Sequence, residues 1–205
     1  MSAQGRFRAD DDGFQAWLAG RSQSGTRPPT DRHIDQLWVA DITYVHLAEE
    51  FAYLANVLDA YSRKVIGWAM ATHLKAELAI AALDQATAVR RPPPGSVIHH
   101  SDRGVQHACA EYAARLAAHR IQPSMSRIGN PYDNAKAERF MRTLKDEEVD
   151  GRAYRDIIDA KKSIREFIER VYNGHRLHSA LDSHPRSAVH HVSGINRNLC
   201  VRNGP

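Results

Sequence analysis

From Gln36 onward the chain carries three β-rich runs in immediate succession, QLWVADITYVHL, EFAYLANVLDA and RKVIGWAMAT, parted only by short segments around Ala48-Glu49 and Tyr61-Ser62. Links this short leave no room for a crossover helix, so the three runs predict a meander of strands paired as antiparallel hairpins. The period then changes. AELAIAALDQATAV spaces its apolar residues as a helix does and is broken by Arg90-Arg91-Pro92-Pro93-Pro94-Gly95 ahead of a short strand, SVIHH. A second helix over roughly 108–119, a last strand in IQPSMS, a turn at Gly129-Asn130-Pro131, a third helix reaching about Val149 and a fourth over roughly 155–173 complete the order. Strands first in hairpins and then alternating with helices, βββαβαβα, predict an α/β fold: a five-stranded mixed sheet with helices on both faces.

At 205 residues a single core is large enough to stand without disulfides or structural metal. Residues 1–30, rich in Gly, Ser, Arg, Asp and Pro, read as an irregular tail or linker, residues 31–190 as the core, and residues 191–205 as a second tail. No apolar run approaches a membrane span and the first residues hold no signal-peptide core, so a cytoplasmic protein without membrane partners is expected. Cys109 and Cys200, far apart, fit a reducing compartment. The pairs His99-His100 and His190-His191 lack zinc-site spacing and read as ordinary surface or core histidines.

The formal charge is +4, but its distribution is uneven. Between residues 31 and 62 six acids (Asp31, Asp35, Asp41, Glu49, Glu50 and Asp59) face one base, Arg32. An acidic patch inside a basic protein suits a molecule that grips phosphates while holding divalent cations among carboxylates. Three acids stand out by position. Asp41 interrupts a strand otherwise built from Trp, Val, Ile, Thr and Tyr, where a carboxylate is costly unless paired, hydrogen-bonded or metal-bound. Asp102 follows the short strand SVIHH and so sits at a strand's carboxyl end, where open α/β sheets place ligands. Glu138 lies on a helix with Arg142 and Lys145 on its own stripe, while Ala137, Met141 and Leu144 form the stripe that packs on the sheet. A salt-bridged surface helix is the plainer reading of that Glu–Arg pair. Asp133 reads as a helix cap, Asp59 as a turn residue ending the second strand, and Asp35 as a surface residue.

VADITYV, LANVLDAYSRKVIGWAM, HHSDRGVQH, SMSRIGNPYDNAKAERF and YNGHRLHSAL together resemble the catalytic core of bacterial insertion-sequence transposases with a retroviral-integrase-type fold. The likeness is to the two-reading-frame group whose triad is written D, D, 35, E, and thirty-five residues separate Asp102 from Glu138. The resemblance implies a ribonuclease-H-like core in which Asp41, Asp102 and Glu138 are the catalytic triad and bind two Mg²⁺ or Mn²⁺ ions. It further implies DNA cleavage and strand transfer during DNA integration, recombination and transposition, with element ends and target DNA as partners and a homo-oligomer on DNA. Arg103, Asn134, Lys136, Arg142 and Lys145 are the candidate DNA-binding residues, with phosphate contact as their natural role. Asn173, Arg176 and His178 belong to the last quoted motif, as packing or DNA-contact residues.

Two departures qualify the likeness. The first thirty residues are too short and irregular for the helix-turn-helix that precedes the core in this group, so an upstream-frame helix-turn-helix protein is an expected partner. The second is Glu138-Arg139-Phe140-Met141, where an aromatic pair commonly follows the family glutamate after one small residue. Two rival readings remain: a ribonuclease-H-like nuclease without strand transfer, and a truncated inhibitor that binds DNA or transposase.

Overall fold

The structure, a computed structural model, describes residues 32–101, 109–125 and 135–176. The expected tails, and the end of the expected core beyond residue 176, lie outside them. Five strands, β1 (Leu37–His46), β2 (Phe51–Asp59), β3 (Val65–Ala71), β4 (Ile98–Ser101) and β5 (Gln122–Met125), form one sheet in the order β3-β2-β1-β4-β5. β1, β2 and β3 pair antiparallel, as the short links require, and β4 joins β1 and β5 in parallel. The mixed five-stranded sheet expected from the sequence is therefore present, with β1 at its centre.

Helices α1 (Ala76–Arg90), α2 (Ala110–Ala118), α3 (Ala135–Leu144) and α4 (Ile157–Glu166) complete the described elements. Alternation along the strands divides the apolar residues into two layers. Val39, Val45, Leu54 and Met70 face α3 and α4, meeting Phe140 and Ile164. Trp38, Val57 and Ile66 face α1 and α2, meeting Leu83 and Tyr112. Gly67 lets α1 lie directly on β3, because a Cβ there would stand 2.1 Å from the carbonyl oxygen of Ala82.

The helix ends follow local chemistry. α1 stops where Arg91 turns left-handed at φ +47° and its N–H closes on the Thr87 carbonyl, ahead of three prolines. The Asp156 carboxylate caps α4 by accepting from Ile158 and Asp159 N–H at 2.9 and 2.8 Å, so the helix starts two residues later than expected. The third and fourth helices do reach as far as their periodicity predicts, but their final turns widen to π-helical winding over Lys145–Val149 and Phe167–Arg176. Among the described residues, no helix is long and apolar enough to cross a membrane.

Candidate active site

Asp41 lies midway along the central strand. Its parity with Val39 and Val45 puts it on the face covered by α3, and its side chain is half-buried. The carboxylate Oδ1 accepts the N–H of Ile42 at 2.8 Å, which gives this charge in a β-strand a fixed direction. β1 and β4 run in register from Leu37–Ile98 to Ala40–Ser101. The β1–β4 pairing thus ends one residue before a candidate acid in each chain segment, Asp41 in one and Asp102 in the other; Asp102 itself lies outside the described residues.

Glu138 stands in the first turn of α3 with its side chain exposed. Ala137, Phe140, Met141 and Leu144 of that helix are buried against β1 and β2, on Asp41's face. The amphipathic split expected from the sequence is therefore present: one stripe packs on the sheet, and Glu138 and Arg142 are exposed. Asn56, directly across from Asp41 in the β1–β2 ladder, links the two elements. Its amide Nδ2 donates to the Asp41 carbonyl at 3.2 Å and reaches Met141 Sδ at 3.5 Å. In the sequence its signal is a lone amide inside the apolar run LANVLD.

The candidate DNA-binding residues fare differently. Arg142 is exposed one turn beyond Glu138. Lys145 is half-buried and holds its ammonium 4.7 Å from the ring centroid of Tyr44, an exposed residue of β1 three positions past Asp41. Lys136 turns inward: Nζ donates to the Ala60 carbonyl at 2.9 Å, and burial pushes its pKa down. That bond anchors the first turn of α3. Arg103, Asn134 and the rival acid Asp133 lie outside the described residues. So do His178, His190, His191 and Cys200, and of Arg176 only the backbone is described. Asn173 is a packing residue, since its amide accepts from Val65 N–H at 3.0 Å and donates to Val65 C=O at 2.9 Å.

Among the described residues, the remaining acids of the 31–62 stretch do not converge on one cation pocket; Asp31 lies outside the described residues. Asp59 is fully buried and ends β2 as a turn residue, accepting the N–H groups of Asp35 and Ser62 at 2.9 and 2.8 Å. Asp35 is not the surface residue the sequence suggested. It is half-buried at φ +58°, accepts from Trp38 Nε1 at 3.0 Å and pairs with Arg90 at 3.5 Å, and burial raises its pKa. Glu49 and Glu50 are exposed in the β1–β2 turn. His99 and His100 are buried core histidines facing Tyr112 Oη and Ser124 Oγ at 2.9 and 3.0 Å. Among the described residues no group of three His, Cys, Asp or Glu side chains could hold a metal ion. The two described acids of the candidate triad nonetheless offer hard carboxylate oxygens, the donor type that Mg²⁺ and Mn²⁺ prefer.

Two models, each described as the integrase core domain, match residues 31–131 and 119–185. The chain belongs to the integrase core family. This integrase core is 38% identical over 148 residues to the transposase for insertion sequence element IS904 of Lactococcus lactis, spanning 72% of this chain and 58% of that protein. It is 42% identical over 147 residues to an insertion element IS600 31 kDa protein of Shigella sonnei, over 72% and 54% of the two chains. With the transposase InsF for insertion sequence IS3A of Escherichia coli K12 the identity is 44% over 147 residues, covering 71% and 50%. The chain spans about half the length of the curated relatives it matches. Among solved structures, a chain in the simian T-cell lymphotropic virus intasome in complex with PP2A regulatory subunit B56 gamma superposes with a TM-score of 0.52 at 18% identity, over 67% of this chain and 49% of that one. That likeness supports the ribonuclease-H-like fold of the integrase core.

Proposed function

We propose that this chain is the catalytic core of a DNA transposase, which cuts a phosphodiester at an element end and joins the freed 3′-hydroxyl to a second phosphodiester. One observation carries the reading: Asp41 projects from the central strand to the face that packs against the helix bearing Glu138, in a chain whose relatives are named as insertion-sequence transposases. Asp41, Asp102 and Glu138 would hold two Mg²⁺ or Mn²⁺ ions. Divalent cations so held supply Lewis acidity, activating the attacking oxygen and stabilising the leaving one.

The protein's own part is positional. The Ile42 N–H holds the Asp41 carboxylate in one orientation, and Lys136 and the buried stripe of α3 hold Glu138 on the same side of the sheet. Arg142 and Lys145, with Arg103 and Asn134, would neutralise the DNA backbone and orient the scissile phosphate. DNA ends and target are the proposed substrates; a second copy of the chain and an upstream-frame helix-turn-helix protein are the proposed partners.

The test is nicking of duplex DNA with added Mg²⁺ or Mn²⁺. Asp41→Asn, Asp102→Asn and Glu138→Gln should each abolish nicking while leaving the melting temperature of the metal-free protein nearly unchanged. Nicking that persists in excess chelator would overturn the reading. Nicks without joined products would move it to the nuclease alternative.

A further inference from the structure

Asn56 is an amide sealed inside the molecule at 1% exposure, yet among the described residues its Oδ1 accepts no hydrogen bond. A buried polar group with an unmet partner costs about 1–3 kcal/mol, and an apolar residue at this strand position would avoid the cost. What the amide does instead is specific. The peptide unit between Asp41 and Ile42 is held at both ends: its carbonyl accepts from Asn56 Nδ2 at 3.2 Å, and its N–H donates to the Asp41 carboxylate at 2.8 Å. Rotation of that one plane would swing the N–H that aims the carboxylate. The same Nδ2 lies 3.5 Å from Sδ of Met141, one turn along α3 from Glu138.

We infer that Asn56 is a positioning residue of the active site: it locks the Asp41–Ile42 peptide plane and keys it to α3, setting the Asp41 carboxylate relative to the helix that carries Glu138. This rests on the proposed role of Asp41 and Glu138 as cation ligands. Groups that orient a ligand without touching the metal typically govern ten- to a hundredfold in metal affinity, so the consequence is measurable apart from catalysis.

The experiment titrates Mn²⁺ into the metal-free full chain by calorimetry, alongside its melting temperature, for Asn56→Val and Asn56→Thr. These variants share shape and strand preference and differ in one hydroxyl donor. Asn56→Val should remain folded and bind Mn²⁺ at least tenfold more weakly than the parent chain, while Asn56→Thr should stay within threefold. If Asn56→Val fails to melt cooperatively, Asn56→Ala replaces it under the same criterion. Mn²⁺ affinity equal to the parent's in a folded donor-less variant overturns the inference. Asp41→Asn separates the two levels of failure. If it loses Mn²⁺ while Asn56→Val keeps it, only the positioning role falls; if Asp41→Asn also binds as the parent does, the cation site itself falls.

Discussion

Glu148 offers a sharp test of how α3 is held in place. It sits in the charged run KDEEVD, but its side chain is buried at 4% residue exposure in the wide last turn after α3. Its carboxylate accepts from Tyr154 Oη at 3.1 Å and Ser163 Oγ at 2.5 Å, and pairs with Arg152 at 3.1 Å. Those contacts fasten the end of α3 to α4 and to the segment that leads into it. In Glu148→Ala the Tyr154 hydroxyl keeps its bond to the Glu148 backbone carbonyl at 2.9 Å, and the exposed Arg152 keeps its bond to Ser163 Oγ at 2.9 Å while its freed Nη2 turns to water. The net loss is therefore one or two charge-assisted bonds, at about 1.5–3 kcal/mol each, together with a small cavity and less the relief of an unburied carboxylate. We expect about 3 kcal/mol. Glu148→Gln keeps the shape and one acceptor oxygen and should cost about 1 kcal/mol. For a chain of this size each kcal/mol lowers the melting temperature by roughly 2–4 °C, so the Ala variant should melt about 6–12 °C lower in a calorimetric scan. A loss below about 0.5 kcal/mol for Glu148→Ala, the range of ordinary surface substitutions, would refute this account of the α3–α4 junction.

Other outcomes follow from single contacts. Gly67→Ala places a Cβ 2.1 Å from the Ala82 carbonyl, so α1 must retreat and urea unfolding should show a loss of about 1–3 kcal/mol. Arg142→Ala should lower the slope of log affinity for DNA against log salt by about 1, whereas Lys136→Met, which loses an internal bond, should leave the slope unchanged and lower stability instead. Asp35, whose folded pKa lies above its ordinary 3.8 because it is buried, binds its proton more tightly when folded. Its contribution is fully present below pH 3.8 and is lost as pH rises through the folded value. The parent chain should therefore lose stability relative to Asp35→Asn over that window in pH-resolved thermal melts.

Elements whose signal is local were legible in the sequence. The three strands of the meander, the helix ended by Arg-Arg-Pro-Pro-Pro-Gly and the two-striped helix around Glu138 each follow from period and punctuation, and the structure places them within a few residues. What escaped depends on segments remote in sequence. Asp35 is half-buried because Trp38 and Arg90 close over it, and Arg90 comes from the end of α1. Glu148 is buried because Tyr154 and Ser163 meet it from the next helix and its approach. The bond from Lys136 to the Ala60 carbonyl joins α3 to a segment seventy-six residues away. Asn56 gains its significance from lying opposite Asp41, and strand register cannot be read from one strand.

The most direct test of the central claim is a joining assay with duplex DNA carrying a recessed 3′-hydroxyl, run in Mg²⁺ or Mn²⁺ and resolved on a denaturing gel. The account predicts longer, joined strands with the parent chain, none with chelator, and none with Asp41→Asn or Glu138→Gln, while Asp133→Asn stays close to the parent. Joined product from Glu138→Gln, together with its loss in Asp133→Asn, would contradict the assignment of Asp41, Asp102 and Glu138 as the reacting carboxylates.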